Sequence, residues 1–342
     1  MSAVVPIIDN AVYVDGRRTP DPVDLAETCD LVRERHGFGW IGLYRPSEDE
    51  LRAVADEFSL HPLAVEDSME GHQRPKIERY GADRFVVLRP ARYMDAEERV
   101  DFGEVDVFLG PDFIVVIRHA EAPDLKAVRA RLEAEPRLLA AGPMAVLYAI
   151  ADRVVDDYAP VVKGLENDID EIEDQLFGGE ASVSQRIYEL TREVVTFQRA
   201  IQPLRGLIEE LRADLDGDQA LLEVRRALRD VLDHVTRIDE RVEGFRLLLQ
   251  NALTVNSTLV AQRQNEAMER LSRDSYEQGN QVKRVSSWAA IGFFPASLAS
   301  IWGMNFKFMP ELELPFGYPL ALLAMLSLGL ALYFGFKRRN WL

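Results

Sequence analysis

Cysteine and the motifs of common catalytic centres are the features that this sequence has least of. Cys29 is its one cysteine, which excludes an internal disulfide and any metal centre built from several cysteines. The chain has no Gly-x-Ser-x-Gly, no phosphate-binding Gly-rich loop ending in Lys and Ser or Thr, and no His-Glu-x-x-His. We therefore expect no enzyme active site of these kinds, and the cysteine usage is typical of a reducing compartment.

Positive charge is also scarce. The 342 residues include 40 Lys and Arg against 57 Asp and Glu, a formal net charge of -17. Nucleic acid is an unsuitable partner, because phosphate binding needs clustered basic side chains. The surplus of carboxylates favours a cation as the partner. Residues 1–16 have no basic stretch followed by an apolar one, so we expect no secretory signal and a chain whose bulk lies in the cytoplasm.

Long hydrophobic runs are limited to two segments near the C-terminus, and the mean hydropathy of -0.13 is too low for a transporter with many spans. Residues 288–304 and 316–336 contain no charged side chain, and each approaches the ~20 residues that cross a bilayer. Basic residues precede the first segment and follow the second, at 283–284 and 337–339. The positive-inside rule therefore predicts cytoplasmic termini and an external loop at 305–315. A buried helical hairpin is the alternative.

The remainder divides into two parts by its pattern. Residues 1–143 mix β-rich runs with helical ones, and strands are expected at 39–44, 84–88, 105–109 and 113–117, with helices at 47–58 and 125–133. Residues 144–287 have helical periodicity: one helix over 145–177 with a step at Pro160, a second over 184–215, and a third from residue 221 that is on the order of 100 Å long. We expect an α+β membrane protein with an N-terminal α/β cytoplasmic domain, a long helical stalk, two C-terminal transmembrane helices, and a basic tail at 337–342.

A distinctive motif lies at the end of the first apolar segment. It reads Trp302-Gly303-Met304-Asn305, and Met309-Pro310-Glu311-Leu312 follows it. The soluble part contributes His61-Pro62-Leu63 and His72-Gln73-Arg74-Pro75-Lys76, and the chain ends on Lys337-Arg338-Arg339-Asn340-Trp341-Leu342. Through these strings the chain resembles the CorA family of magnesium channels over its whole length.

The resemblance implies a homo-oligomer, a pentamer, in which the first span lines a pore through the cell membrane. It implies influx of Mg²⁺, with Co²⁺ or Ni²⁺ as further cargo. Asn305 would form the external ring of amide oxygens, which suits an ion that prefers oxygen ligands and gives up water reluctantly. Gly303 would let the helix end and turn without a Cβ penalty. By local chemistry alone, Gly303 and Asn305 could equally be helix caps.

Polar and aromatic positions along the first span and its approach are the candidate pore-lining residues: Ser300, Ser297, Phe294, Phe293, Ser286 and Asn280. Serine and asparagine would be wasted on lipid, and aromatic rings could form a dry constriction. The alternatives are hydrogen bonds from serine to the helix backbone and phenylalanine packing against lipid.

Regulation by internal Mg²⁺ is a further implication of the resemblance. Asp230 on the stalk and Asp95 in the α/β domain match the family's sensing carboxylates, which a divalent ion would bridge between subunits in the closed state. The acidic run at 168–174 is either a solvated face or a second part of such a sensor.

Two other functions are compatible with parts of the pattern. A zinc-transporting branch of the family shares Gly-Met-Asn, but the sequence has no cluster of His or Cys for soft zinc coordination. A membrane-anchored enzyme would need a site in the α/β domain, where His61 and His72 are isolated candidates that we expect to serve in packing or hydrogen bonding.

Overall fold

The computed structural model describes residues 7–71, 73–178, 180, 182–305, 307, 309–310 and 314–342. Its contacts divide the chain into two units, Met1–Asn256 and Ser257–Leu342. The strands are β1 (Ile7–Val14), β2 (Arg17–Arg18), β3 (Phe38–Tyr44), β4 (Lys76–Tyr80), β5 (Asp83–Leu88), β6 (Ala91–Met94), β7 (Arg99–Phe102), β8 (Val105–Leu109) and β9 (Phe113–Arg118).

The helices are α1 (Leu25–Arg35), α2 (Glu48–Phe58), α3 (Pro62–Glu70), α4 (Leu125–Glu133), α5 (Pro136–Leu139), α6 (Pro143–Asp156), α7 (Tyr158–Gly178), α8 (Val183–Asp214), α9 (Leu222–Trp302) and α10 (Gly317–Arg338). Each of the four strands predicted from the sequence is present, and none differs from its predicted bounds by more than one residue at either end.

A seven-stranded sheet forms the centre of the first unit, with strand order β2-β1-β3-β9-β8-β5-β4. The β3–β9 pair is parallel, and the other ladders are antiparallel. Because side chains alternate between the two faces of a strand, Ile41 and Leu43 pack with Leu51 and Val54 of α2 on one face. On the other face α6 contacts β3, β8 and β9. The sheet is therefore the middle of three layers.

Helix α2 shows how local sequence sets these elements. Ser47 accepts a hydrogen bond from the Glu50 backbone N–H, and the Glu50 carboxylate accepts one from the Ser47 N–H at 2.6 Å. This reciprocal capping box satisfies two backbone donors that the first helical turn cannot pair. The helix then presents Leu51, Val54 and Phe58 to the sheet at a spacing of three to four residues.

The long helix predicted at 145–177 is two helices. The helix is interrupted at Asp157, and α7 begins at Tyr158 with Pro160 in its first turn. Proline has no N–H to donate to the preceding turn and is tolerated only where that donor would be unpaired. The prediction of one helix with a step at Pro160 was therefore wrong in the position of the break, because the first helix ends at Asp156, before the proline.

Helix α7 packs closely on the β6–β7 hairpin. A Cβ built at the buried Gly164 would lie 2.6 Å from Cγ of Tyr93, inside the volume of the ring. Nearby, the Tyr158 hydroxyl donates to the Arg89 carbonyl at 2.7 Å, and its ring meets that of Phe197 edge-on at 5.3 Å. The absent side chain at residue 164 is what allows this approach.

Ion pairs attach α8 to the far edge of the sheet. Asp214 has a side chain that is 8% exposed, and it accepts from Arg79 at 2.5 Å and from Arg84 at 2.8 Å. Gly217, at φ +92°, then turns the chain into α9. A left-handed φ costs glycine little. Because Asp214 is paired with Arg79 and Arg84, the α8–α9 connection lies beside β4 and β5.

The second unit contains the end of α9 and the whole of α10. Both helices are long and apolar enough to cross a membrane, with windows of mean hydropathy 1.3 and 1.9. They pack on each other: the rings of Trp288 and Tyr333 are 6.4 Å apart, and a Cβ on Gly329 would lie 3.7 Å from Cγ of Pro295. The prediction of an N-terminal α/β domain, a long helix and two C-terminal apolar helices is confirmed.

We predict that Gly164→Ala lowers the unfolding temperature of the purified protein, because the added methyl group must displace the Tyr93 ring at a cost of about 1–3 kcal/mol. Gly206→Ala is the matched control, since Gly206 lies inside α8 with no atom within 4 Å of its Cβ position. Replacing a helical glycine there should stabilise by up to about 1 kcal/mol. Equal unfolding temperatures for the two variants would contradict the close packing of α7 on the hairpin.

Candidate functional site

The end of α9 places the Gly-Met-Asn motif. The helix ends at Trp302, the Gly303 N–H donates to the Ala299 carbonyl at 3.1 Å, and the Met304 N–H donates to Ile301 at 3.2 Å. Asn305 follows outside the helix and is exposed. The motif therefore places Asn305 beyond the last helical turn, at the end of the first apolar segment.

Gly303 lies in the turn that directly follows α9. Its φ is not in the left-handed region, and an added Cβ would meet the Ala299 and Ser300 carbonyl oxygens at 3.4 and 3.5 Å, which is close to ordinary contact. The helix ends at Trp302 and the chain turns at Gly303, and this turn does not use a left-handed conformation.

Helix α9 presents two different faces in the second unit. Trp288 and Pro295, seven residues apart, face α10. At about 100° per residue, the opposite face carries four of the six candidate pore residues: Ser286, Phe293, Ser297 and Ser300. The structure therefore brings these four together on the side of α9 that α10 leaves uncovered. Phe294 lies towards the flank of that face, whereas Asn280 lies nearer the side that faces α10.

The exposure of these side chains agrees with their positions. Ser286 and Ser300 are exposed, and Phe293 is 68% exposed against 50% for Phe294. Ser287, one residue along, is 1% exposed and donates to the Lys283 carbonyl at 2.7 Å. The polar face is thus confined to one side of the helix.

The hydroxyl of Ser297 donates a hydrogen bond within its own helix. Its hydroxyl donates to the Phe293 carbonyl at 2.9 Å, the backbone bond that the sequence left as an alternative. A hydroxyl oxygen keeps two acceptor lone pairs after donating. Ser297 can therefore still accept a hydrogen bond from water, including water of a hydrated cation.

The two predicted sensing residues lie in the first unit. Asp95 begins the short 3₁₀ turn Asp95–Glu97 that joins β6 to β7, and it is exposed. Asp230 lies on α9 with a side chain that is 72% exposed, and Nε2 of His234 is 3.9 Å from its carboxylate. No hydrogen bond or ion pair joins Asp95 to Asp230 within the described part of the chain.

Sequence reasoning missed the acidic surroundings of Asp230. Helix α6 brings Asp152 and Asp156 alongside this part of α9, and burial, together with the charge of Asp152, raises the pKa of Asp156, while His234 opposes that rise. Asp152 accepts from Arg131 at 2.7 Å. The signal in the sequence was the spacing of four between the two aspartates on α6, which places them on one face.

The acidic run at 168–174 contains an internal ion-pair network. Asp168 is buried and accepts from the Tyr93 hydroxyl, and burial raises the pKa of Asp168 to about 6. Its carboxylate, with those of Glu98 and Glu171, could hold a metal, because their oxygens lie within 4.8 Å of one another. Arg186 already lies among them, 2.9 Å from Glu98, 2.5 Å from Glu171 and 3.9 Å from Asp168. The chain itself supplies the cation there.

His61 and His72 belong to the two soluble-part motifs that resemble the CorA family, and the structure describes the first of them. His61 caps α3 by accepting from the Leu63 N–H, and its ring stacks on Tyr80 at 4.0 Å. Its predicted role in packing and hydrogen bonding is confirmed. His72 lies outside the described residues, as do parts of the 305–315 segment.

Comparison with known proteins agrees with this arrangement. The family described as "CorA-like Mg2+ transporter protein" matches residues 35–338. The chain is 31% identical to YfjQ of Bacillus subtilis, over 92% of each chain. It is 29% identical to the cobalt/magnesium transport protein CorA of Thermotoga maritima, over 89% of this chain and 83% of the other.

A solved structure shares the fold. The complete structure of the CorA magnesium transporter from Methanocaldococcus jannaschii matches with a TM-score of 0.52 at 17% identity, over 89% of this chain and 92% of the other. The family match covers both the α/β unit and the helices that carry the Gly-Met-Asn motif. The chain therefore belongs to the CorA family of divalent metal transporters.

Proposed function

We propose that several copies of this chain form a channel for Mg²⁺ influx across the cell membrane, with Co²⁺ or Ni²⁺ as further cargo, and that the protein is not an enzyme. The observation that carries the proposal is the polar face of α9. It lies opposite the face that packs on α10, and the helix ends beside Asn305. A polar face that the partner span leaves uncovered is the expected wall of a water-filled path.

Association follows from the cost of leaving that face in lipid. Hydrocarbon offers no hydrogen bonds, so polar positions in a span face a cavity or another helix. Two spans of one chain cannot enclose a pore, whereas copies arranged around an axis bring their α9 faces together. The resemblance to CorA supports five copies, and the surrounding bilayer then contacts α10.

Within such an axis, Asn305 would form the outer ring and the serines a hydrated wall. Mg²⁺ keeps its water shell tightly, so neutral oxygens that bind the shell can select it without stripping it. Phe293 lies on the same face as Ser297, and its exposed ring would narrow the path. Phe294 would line the flank of the path, Ser286 and Asn280 would line its inner approach, and Gly303 would end the helix before Asn305.

The basic flanks support the orientation. Lys337 and Arg338 end α10, and Lys283 and Arg284 precede the apolar part of α9. By the positive-inside rule these ends lie in the cytoplasm, so the segment at 305–315 faces outward. Mg²⁺ would meet Asn305 first.

Asn305→Ala should reduce Mg²⁺ uptake into proteoliposomes by more than about tenfold, because each subunit loses its amide oxygen at the mouth. Asn265→Ala, an exposed asparagine on α9 outside the apolar segment, is the control and should transport normally. The size of the detergent-solubilised oligomer should be unchanged in both. Normal uptake by Asn305→Ala in an intact oligomer would refute the assignment.

Internal Mg²⁺ is proposed to close the channel by bridging subunits through Asp230 and Asp95. Both carboxylates are exposed, and Asp230 lies near the carboxylates of α6, where like charges repel when no cation is bound. A divalent ion placed between two such carboxylates replaces repulsion with attraction and favours the state that brings them together. Mg²⁺ retains several waters, so the bridge should be weak enough to titrate.

Asp230→Asn should raise the Mg²⁺ concentration needed for half-maximal protection from protease by at least about tenfold, a loss of ~1.4 kcal/mol of binding free energy. Asp274→Asn, an exposed aspartate farther along the same helix, tests for a general effect of charge and should leave protection unchanged. If wild type and Asp230→Asn are protected equally at equal Mg²⁺, Asp230 is not part of the sensor.

A further inference from the structure

Three side chains with metal-ligand chemistry meet at one end of the β8–β9 ladder. Val105 pairs with Arg118, and one step farther out the His119 N–H donates to the Glu104 carbonyl at 3.0 Å. Asp106, two residues after Glu104, projects from the same face of the strand. The hairpin register therefore gathers Glu104, Asp106 and His119, and one ligand atom from each lies within 4.8 Å of the others.

Asp106 is the innermost of the three and is fully buried. Its Oδ2 accepts from the Ser68 hydroxyl at 2.6 Å and lies 3.2 Å from Nε2 of His119. Its Oδ1 is also buried and has no hydrogen-bond partner among the described residues. Buried carboxylate oxygens are normally paired, so the second oxygen of Asp106 lacks the partner that such an atom usually has.

The spacing fits a metal ion. Metal bonds to nitrogen and oxygen of ~2.0–2.2 Å, at tetrahedral angles, place two ligand atoms roughly 3.3 Å apart. Nε2 of His119 and Oδ2 of Asp106 are 3.2 Å apart in this structure. The Gln73 N–H donates to Oε2 of Glu104 at 2.8 Å, which fixes that carboxylate in place.

Solvent reaches the group through a cavity of about 310 Å³ that Glu104 and His119 line, together with Gly71, Arg89 and Phe102. Its volume leaves room for water molecules to complete a coordination shell. Two carboxylates with one imidazole neutralise a dication, and the nitrogen ligand favours Zn²⁺, Co²⁺ or Ni²⁺ over Mg²⁺, which prefers oxygen alone.

We propose that Glu104, Asp106 and His119 form a binding site for a divalent transition metal, Co²⁺ or Zn²⁺, in the α/β unit. The site uses none of the residues assigned to the ion path or to the Mg²⁺ sensor. A bound ion would link this end of the β8–β9 ladder to α3 through Asp106 and Ser68. The inference stands on the geometry of this group and does not depend on the proposed channel.

The test is a Co²⁺ titration of the purified full-length protein in detergent, freed of metal by a chelator and followed by visible absorption. We expect one Co²⁺ per chain with the spectrum of a nitrogen-ligated ion, displaced by Zn²⁺ but not by excess Mg²⁺. His119→Gln and Glu104→Gln should each weaken binding by more than about tenfold. The variants are made at Glu104 and His119, which line the cavity, because a change at the fully buried Asp106 would also alter the stability of the fold.

His36→Asn is the matched control, since His36 is exposed at the left-handed end of α1, a conformation that asparagine tolerates. It should bind Co²⁺ as the wild type does, and so should Asn305→Ala, which separates this site from the ion path. Unchanged Co²⁺ binding and spectrum in His119→Gln would overturn the proposal. Displacement of Co²⁺ by Mg²⁺ as readily as by Zn²⁺ would also overturn it.

Discussion

The packing of α10 on a single face of α9 is the constraint from which the membrane part of this account follows. Trp288 and Pro295 of α9 contact Tyr333 and Gly329 of α10, and a small residue at 329 permits that approach. The other side of α9 is left with serines that hydrocarbon cannot solvate. In the proposed channel this side faces water and the other copies, so that self-association and a hydrated path both follow from one contact.

A second constraint acts on the charge of the first unit. Two carboxylates that the fold largely buries have arginine partners: Asp168 has Arg186, and Asp214 has Arg84. Burying an unpaired charge costs several kcal/mol, so these partners are needed for folding. Asp230 is different, because it is exposed and its recorded partner is a histidine at 3.9 Å. The excess negative charge therefore resides where a soluble dication can reach it, and it can be used for sensing.

The sequence predicted those elements whose signal is local. Short β-rich runs located four of the five inner strands, and uninterrupted apolar length located the two spans. The sequence could not show which of Ser286 and Ser287 is buried, because only packing decides this. It also could not show that the helix is interrupted at Asp157. The group of Glu104 and His119 was missed for the same reason: residues 15 positions apart meet only through the register of the β8–β9 hairpin.

The most direct test of the central claim is the accessibility of the polar face of α9 to water during transport. In a Cys29→Ser background, Ser297→Cys and Ser327→Cys place a thiol on α9 and on α10, respectively, at positions where serine donates to a backbone carbonyl. Mg²⁺ uptake into proteoliposomes is then measured with a charged thiol reagent present. The account predicts that the reagent blocks uptake by Ser297→Cys and leaves uptake by Ser327→Cys unchanged. Block of Ser327→Cys with no effect on Ser297→Cys would contradict it.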